Sequence, residues 1–132
     1  MESAFQFTNP ILKELDFSLN EGFEKVVNKE IPIQLSLSVQ VNKSAVKNEA
    51  MVELTVEIGE KCDNVPFWIR AIEQANFRWD ELVVEEMVDR LLNQNAPSLL
   101  LSYLRPIVSQ VSSASKYGAY NIPFINFTDQ NK

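Results

Sequence analysis

The sequence of 132 residues contains no histidine, only three glycines and a single cysteine, Cys62. Without histidine, Ser-His-Asp and Cys-His catalysis and the usual zinc sites are excluded. Neither of the glycine-rich phosphate-binding patterns, G-x-x-x-x-G-K and G-x-G-x-x-G, is present. Cys62 stands alone in a polar turn, so no intrachain disulfide forms and the thiol has no catalytic partner. We therefore expect neither an enzyme nor a bound metal or cofactor.

A basic excess and long apolar runs are also lacking. The net charge is −6 and the pI is about 4.7, which disfavours nucleic acid as a partner. This acidity suits basic or unfolded polypeptide partners, although solubility alone also explains it. No run of 18 apolar residues exists, and the opening "MESAFQF" lacks the regions of a signal peptide. We expect a single cytoplasmic domain over residues 1–132, without membrane insertion.

The first half of the sequence alternates between apolar and polar residues with a period of two. In "IQLSLSVQV" (33–41) the apolar side chains point one way and serine and glutamine the other, as in a half-buried strand. "MVELTVEI" (51–58) repeats the pattern, and the polar link between the two stretches predicts a β-hairpin. Upstream, "FQFTNPILKELDFSLN" (5–20) is extended, with a bend or sheet edge at Pro10. The connection from Asn20 to Glu30 is long and suggests a crossover.

The hydrophobic period changes near Asp80. "ELVVEEMVDRLL" predicts a helix, and "NQNAPSLL" predicts a helix break and restart with Pro97 suited to the first helical turn. The next helix is "SLLLSYLRPIVSQV". Pro106 lies inside this helix, and Gly118 is a natural stop after it. Four strands followed by helices predict the α+β class, with a four-stranded antiparallel sheet and helices packed on one of its faces.

The run "FWIRAIEQANFRW" (67–79) carries large apolar residues on both faces, although one face of a strand in a two-layer domain normally meets water. We interpret this as an outer face covered by another subunit or by a ligand. In the alternative, Trp68 and Ile72 are partly exposed single residues. After this run comes a cluster of acids that complement the dipole at a helix start rather than form an acid–base pair: Asp80, Glu81, Glu85, Glu86 and Asp89.

The C-terminal third, "DRLLNQNAPSLLLSYLRPIVSQVSSASKYGAYNIPFINF", resembles the SecB family of protein-export chaperones. That family has a proline followed by an apolar helix with a Tyr-x-Arg step, here Pro97 and Tyr103-Leu104-Arg105. It closes with a stretch of the form Leu-x-Leu-x-Pro-Val-Asn-Phe, here "YNIPFINF". The run 67–79 is similar to the family's fourth strand, and residues 5–20 are similar to its first.

The resemblance implies an ATP-independent holdase that keeps unfolded precursor polypeptides ready for export, assembled as a dimer of dimers. It places a client-binding groove on the second strand and the helix-end region, with the residues Leu35, Leu37, Val39, Tyr117, Tyr120, Ile122 and Phe124. The strand residues that affect subunit association are Phe67, Ile69, Ala71 and Glu73. In better-known members the outer sheet face docks on the translocase motor SecA, and the matching residues are Glu14 and Trp68.

The sequence also departs from the family pattern. Ser18 stands where a carboxylate is expected and Arg70 reverses a charge, so we expect weakened SecA docking. Family members continue past the Asn-Phe closure into a further helix, whereas residues 128–132 alone follow it here. We expect the apolar residues of the closing stretch to seal the chain against the sheet and helices: Ile122, Phe124, Ile125 and Phe127.

A second function is compatible with the same fold. In this alternative the chain is an oligomeric interaction module for one dedicated protein partner, such as a toxin–antitoxin component. Its apolar surfaces would then be consumed by self-assembly or by that partner. An open apolar groove several residues long favours the holdase, and a groove filled by the protein's own tail favours the module.

Overall fold

The computed structural model describes residues 1–24 and 30–129. Its sheet contains five strands, each antiparallel to its neighbours: β1 (Phe5–Phe7), β2 (Ile11–Leu19), β3 (Leu35–Lys43), β4 (Glu49–Gly59) and β5 (Phe67–Trp79). The helical part is α1 (Glu85–Arg90), a π-helical turn (Leu91–Asn95), α2 (Ala96–Ser113) and a short 3-10 turn (Phe127–Asp129). The predicted α+β class is confirmed, with a difference in strand number.

The fifth strand arises because Pro10 divides the first extended run. β1 pairs with the C-terminal end of β5, where Phe7 lies opposite Phe77 and Phe5 lies opposite Trp79. β2 pairs with the rest of β5. Proline has no N–H to donate to a ladder, so the run breaks at the predicted position. β5 therefore has β1 and β2 on one side and β4 on the other, and β3 forms the opposite edge of the sheet.

β3 and β4 form the predicted hairpin, with Leu35 opposite Ile58 and Lys43 opposite Ala50. The connection between β2 and β3 joins the two edges of the sheet, as the expected crossover requires, and residues 25–29 within it lie outside the described residues. Gly59 closes β4 with a φ of 74°. A β-carbon there would lie 2.1 Å from the Phe67 carbonyl oxygen, so only glycine fits.

The helical layer is more continuous than the sequence predicts. Asn95 and Ala96 both keep right-handed helical angles, so the π turn joins α1 to α2 where a break is predicted. Pro97 lies in the first turn of α2, as expected. Pro106 is tolerated inside α2, where its ring is exposed to solvent.

The core lies between α2 and the inner face of β4 and β5. Alternate side chains of β4 are fully buried there: Val52, Leu54, Val56 and Ile58. From α2, Leu100, Leu104 and Val108 meet them at a spacing of four residues, the period of a single helix face. Each such side chain contributes about 1.5–3 kcal/mol on burial. Within the described residues, no helix is long and apolar enough to span a membrane.

Candidate functional site

The inner face of the edge strand β3 carries a row of half-buried apolar side chains. Leu35, Leu37 and Val39 belong to it and border the core, while the residues between them face solvent. The row stays half open because α2 lies over β5 and β4, and β3 meets the helical layer mainly through the π turn. Among residues 1–24 and 30–129, β3 pairs with β4 alone, so the other edge of its backbone has no strand partner in that part of the chain.

The segment after α2 turns back and runs along that helix. Gly118, with a φ of 82°, lies in the reversing turn. The Ser112 hydroxyl donates to the Val108 carbonyl oxygen at 2.6 Å and accepts the Tyr120 N–H at 2.7 Å. Further along, the Arg105 Nη2 donates to the Pro123 carbonyl oxygen at 2.7 Å. Two side chains of α2 therefore hold the returning segment at two separate points.

The two tyrosines of the returning segment lie at the same end of the sheet as Leu35. The Tyr120 ring meets Phe67 edge-on at 6.1 Å between centroids, and Tyr117 meets Phe23 in the same way at 5.8 Å. Leu35 joins this end through Ile58, its register partner on β4. Both tyrosines remain half-buried, and burial raises the pKa of the Tyr120 hydroxyl. Five of the predicted residues thus border one apolar core: Leu35, Leu37, Val39, Tyr117 and Tyr120.

Phe124 departs from the predicted seal. Ile122 and Phe127 are buried, as expected, but the Phe124 side chain is 95% exposed. Arg105 donates to the carbonyl of the preceding Pro123, and its guanidinium lies 5.1 Å from the Phe124 ring centroid. As a member of the predicted client groove, Phe124 is available to a partner, whereas Ile122 belongs to the core.

The residues predicted to affect subunit association all lie on the inner face of β5, where they are buried within the chain: Phe67, Ile69, Ala71 and Glu73. The unusual member is Glu73, which is 2% exposed and stands in register between Leu12 and Leu54. Its Oε1 atom has no hydrogen-bond partner within the described part of the chain. Burial raises the pKa of this carboxyl above its ordinary value. The role of these residues in association stays a prediction.

The outer face of the sheet carries a charge network around Arg70. Its Nε donates to the Glu14 Oε2 at 2.7 Å and its Nη1 to the Glu57 Oε1 at 2.8 Å. The hydrogen bond to Glu14 is the main cause that raises the pKa of Arg70. The Arg70 guanidinium thus contacts two carboxylates, and one of them belongs to Glu14, a residue predicted to dock on SecA. Trp68, the other docking residue, is half-buried, with the Lys61 Nζ 4.3 Å from its ring centroid.

Ile72 and the half-buried Trp68 are the apolar residues of the outer face that led us to expect a covering subunit or ligand. Ile72 is 6% exposed in the single chain, in register between Glu14 and Thr55. Its burial therefore requires no outside partner. Across the ranges 1–24 and 30–129, no group of three or more His, Cys, Asp or Glu side chains could hold a metal ion.

Sequence reasoning missed the role of Ser112. The hydroxyl is fully buried and connects α2 to the returning segment. The signal was available, because Ser112 continues the spacing of four set by Leu100, Leu104 and Val108, where an apolar residue is expected. A polar residue on such a face needs a partner, since a buried hydroxyl without a hydrogen bond is costly.

The chain is similar in sequence to a family model and to two known proteins. The family model described as preprotein translocase subunit SecB matches residues 1–130. An uncharacterised protein of Methanocaldococcus jannaschii is 25% identical over 93% of this chain and 79% of its own. The protein-export protein SecB of Anaplasma phagocytophilum is 24% identical over 97% of this chain and 90% of its own.

The fold is also similar to that of a solved structure. The SecB-like chaperone of Mycobacterium tuberculosis, in complex with a peptide from an antitoxin, superposes with a TM-score of 0.72. The match covers 92% of this chain and 91% of that one, at 11% sequence identity. At this identity the likeness concerns the fold.

Proposed function

The chain belongs to the SecB family, and we propose that it is an ATP-independent holdase that binds unfolded or precursor polypeptides in the cytoplasm. The observation that carries this proposal is the half-open apolar row of β3, next to a strand edge that no other described strand covers. An extended polypeptide can pair its backbone with such an edge and bury alternate side chains in the row. This mode of binding recognises extended chains of many sequences, because the backbone contacts are common to all of them.

The returning segment supplies the second part of the proposed groove. Tyr117 and Tyr120 are half-buried at the Leu35 end of the row, and Phe124 projects fully into solvent. Aromatic side chains offer large contact areas at a small entropic cost, which suits binding to varied clients. In this proposal the buried Ile122 supports the segment from the core rather than contacting a client.

We further propose that the chain works as a homo-oligomer, a dimer of dimers, influenced by the β5 residues around Glu73. Because these residues face the helical layer, substitutions there would act on association through the position of α2. SecA docking through Glu14 and Trp68 is a weaker proposal, because Arg70 offsets the negative charge of Glu14 and Glu57. Mass measurement in solution tests the oligomer directly: a tetramer supports it and a monomer contradicts it.

A dedicated partner is the second candidate function. The observation in its favour is that the Mycobacterium tuberculosis neighbour with this fold is in complex with a peptide from an antitoxin. Several unrelated unfolded clients separate the two candidates. A general holdase suppresses the aggregation of all of them at similar molar ratios, whereas a dedicated module suppresses that of none of them and binds a single partner.

The test of the holdase is suppression of light scattering by a reduced, unfolded client at stoichiometric protein and without ATP. Leu37→Ser, in the middle of the β3 row, is expected to weaken suppression, because it removes a side chain whose burial contributes about 1.5–3 kcal/mol. Gln40→Ser is the matched control, since it changes the solvent face of the same strand. No suppression by the folded protein, or equal suppression by both variants, would contradict the proposal.

A further inference from the structure

The inner row of β3 ends in a charged residue. Alternate residues of this strand face the core side, and from Leu35 to Val41 they are half-buried and apolar. Lys43 follows at the same spacing and lies opposite the buried Ala50 of β4, so it belongs to the same face. A lysine thus takes the last position of a row that is otherwise apolar, and its ammonium group binds a carboxylate.

That carboxylate belongs to Asp89, on α1 of the helical layer. The main chain is held at this point, because the Asn93 Nδ2 donates to the Asp89 carbonyl oxygen at 2.8 Å. Three other ion pairs occur among residues 1–24 and 30–129, and each joins two strands of the sheet. In that part of the chain, the pair of Lys43 and Asp89 is therefore the ion pair that fastens the sheet to the helical layer.

Two features beside this ion pair leave room for movement. A cavity of about 360 Å³ is lined by Lys43 on the hairpin and by Val88, the neighbour of Asp89, on α1. The helical layer meets β3 mainly through the π turn Leu91–Asn95, which follows α1 directly. Turns of this type are rare inside α-helices and are frequent at functional sites. The end of β3 is thus held beside an open space and against an uncommon helical turn.

The ion pair is weak enough to open reversibly. The Lys43 side chain is 41% exposed and that of Asp89 57%. An exposed ion pair shifts an equilibrium by about two- to fivefold, and salt screens it further. A fastening of this strength suits a contact that opens and closes, because its loss does not threaten the fold.

We propose that Lys43 and Asp89 form a latch that sets how far the Val41 end of the β3 row is open to a client. The closed latch holds the end of β3 against the helical layer. The open latch lets this end move beside the cavity, so that Val41 becomes accessible. Closed chains do not offer this end of the row, so they lower the apparent affinity for a client in proportion to their fraction. Both are positioning residues, and the inference rests on the proposed function of the row as the client groove.

The first test measures the opening itself and needs no client. The full chain carries Cys62→Ser, so that one introduced cysteine is its single thiol. Val41→Cys reports on the latch end of the row and Leu35→Cys on the opposite end, through the rate of labelling by a maleimide dye. Lys43→Gln and Asp89→Asn should each speed labelling at position 41 about two- to fivefold and leave position 35 unchanged. The two substitutions change the net charge in opposite directions, so an equal effect cannot come from overall charge.

Two controls separate the latch from other effects. The swapped pair Lys43→Asp/Asp89→Lys should restore slow labelling at position 41, because it rebuilds the ion pair. Lys47→Gln should label like the parent, since Lys47 lines the same cavity but has no ion pair within the described ranges. High salt should speed labelling at position 41 in the parent and have little effect in Lys43→Gln.

The second test uses the light-scattering assay with the reduced, unfolded client and no reporter cysteine. Lys43→Gln and Asp89→Asn should reach half-suppression at about two- to fivefold lower protein concentration, and the swapped pair should behave like the unmodified protein.

Three results would overturn the inference: equal labelling at position 41 in all variants, an equal increase at position 35, or unchanged suppression by the latch variants of a client that the unmodified protein does hold. The holdase proposal fails differently. If labelling responds as expected and none of the proteins suppresses aggregation, the holdase proposal has failed and the latch remains as a property of the fold.

Discussion

Replacing Glu73 by glutamine is expected to stabilise the protein at neutral pH and to leave its stability nearly unchanged in acid. The carboxyl is 2% exposed, stands in register between two leucines and has an oxygen without a hydrogen-bond partner in the described structure. Glutamine fills the same volume without the charge. A buried polar group left without a partner costs about 1–3 kcal/mol, and more when it is charged. Because the amide is still a buried polar group and only the charge is removed, we expect a gain of roughly 1 kcal/mol or more in the free energy of unfolding.

The direction of the pH dependence follows from the raised pKa of Glu73. An unfolded glutamate titrates near pH 4.3, so below about pH 3 both the folded and the unfolded carboxyl are protonated and charge costs nothing. Above that pH the unfolded state loses its proton first. The folded protein then loses stability until the pH has passed the raised pKa, after which the loss is constant. The difference between Glu73→Gln and the unmodified protein should therefore be small in acid and level off at higher pH.

Urea denaturation at a series of pH values measures this difference at a fixed protein concentration. Glu49→Gln is the control, because Glu49 is an exposed strand residue without an ion pair in the described ranges, and its curve should follow that of the unmodified protein. The reasoning fails if Glu73→Gln destabilises the protein at neutral pH, or if its effect is the same at pH 4 and pH 8.

Two further predictions concern the backbone and the returning segment. Gly59→Ala and Gly118→Ala both place a side chain at positive φ, which costs about 1–2 kcal/mol. Gly59→Ala should destabilise the protein clearly more than Gly118→Ala, because its β-carbon would meet the Phe67 carbonyl, whereas nothing lies within 4 Å of a β-carbon at Gly118. Equal melting temperatures of the two variants would contradict this. Ser112→Ala should lower stability by about 1–3 kcal/mol and speed hydrogen exchange at the Tyr120 amide, whereas unchanged exchange there would show that the hydroxyl does not hold the segment.

The strands could be predicted well because their burial differs between two faces. In β3 and β4 the period-two alternation appears directly in the sequence, and Pro10 marks the interruption of the first run. The two-sided apolar character of β5 was harder to interpret. Ile72 is buried on the outer face between neighbouring strands, and strand neighbours are a property of register that one strand's sequence does not contain.

The candidate site could be predicted only in part, for a related reason. Leu35 and Tyr120 reach one apolar core because of tertiary packing, and the resemblance to a known family supplied that connection. Phe124 could not be placed from the sequence, since its neighbour Arg105 comes from α2, far away along the chain. The helix break was predicted from proline and asparagine, yet the π turn contains the asparagines and Pro97 fits the first turn of α2.

The strand order also has a consequence for how the chain folds as it is synthesised. β1 and β2 are made first, but among the described strands both pair with β5 alone, with Phe5 opposite Trp79. The β3–β4 hairpin can form early from local contacts, whereas the pairing of β2 must wait until β5 has left the ribosome. Closing such a long loop slows folding and keeps an apolar strand unpaired during translation. A protein proposed to hold the unfolded chains of others thus passes through a stage in which its own first strands lack their partner.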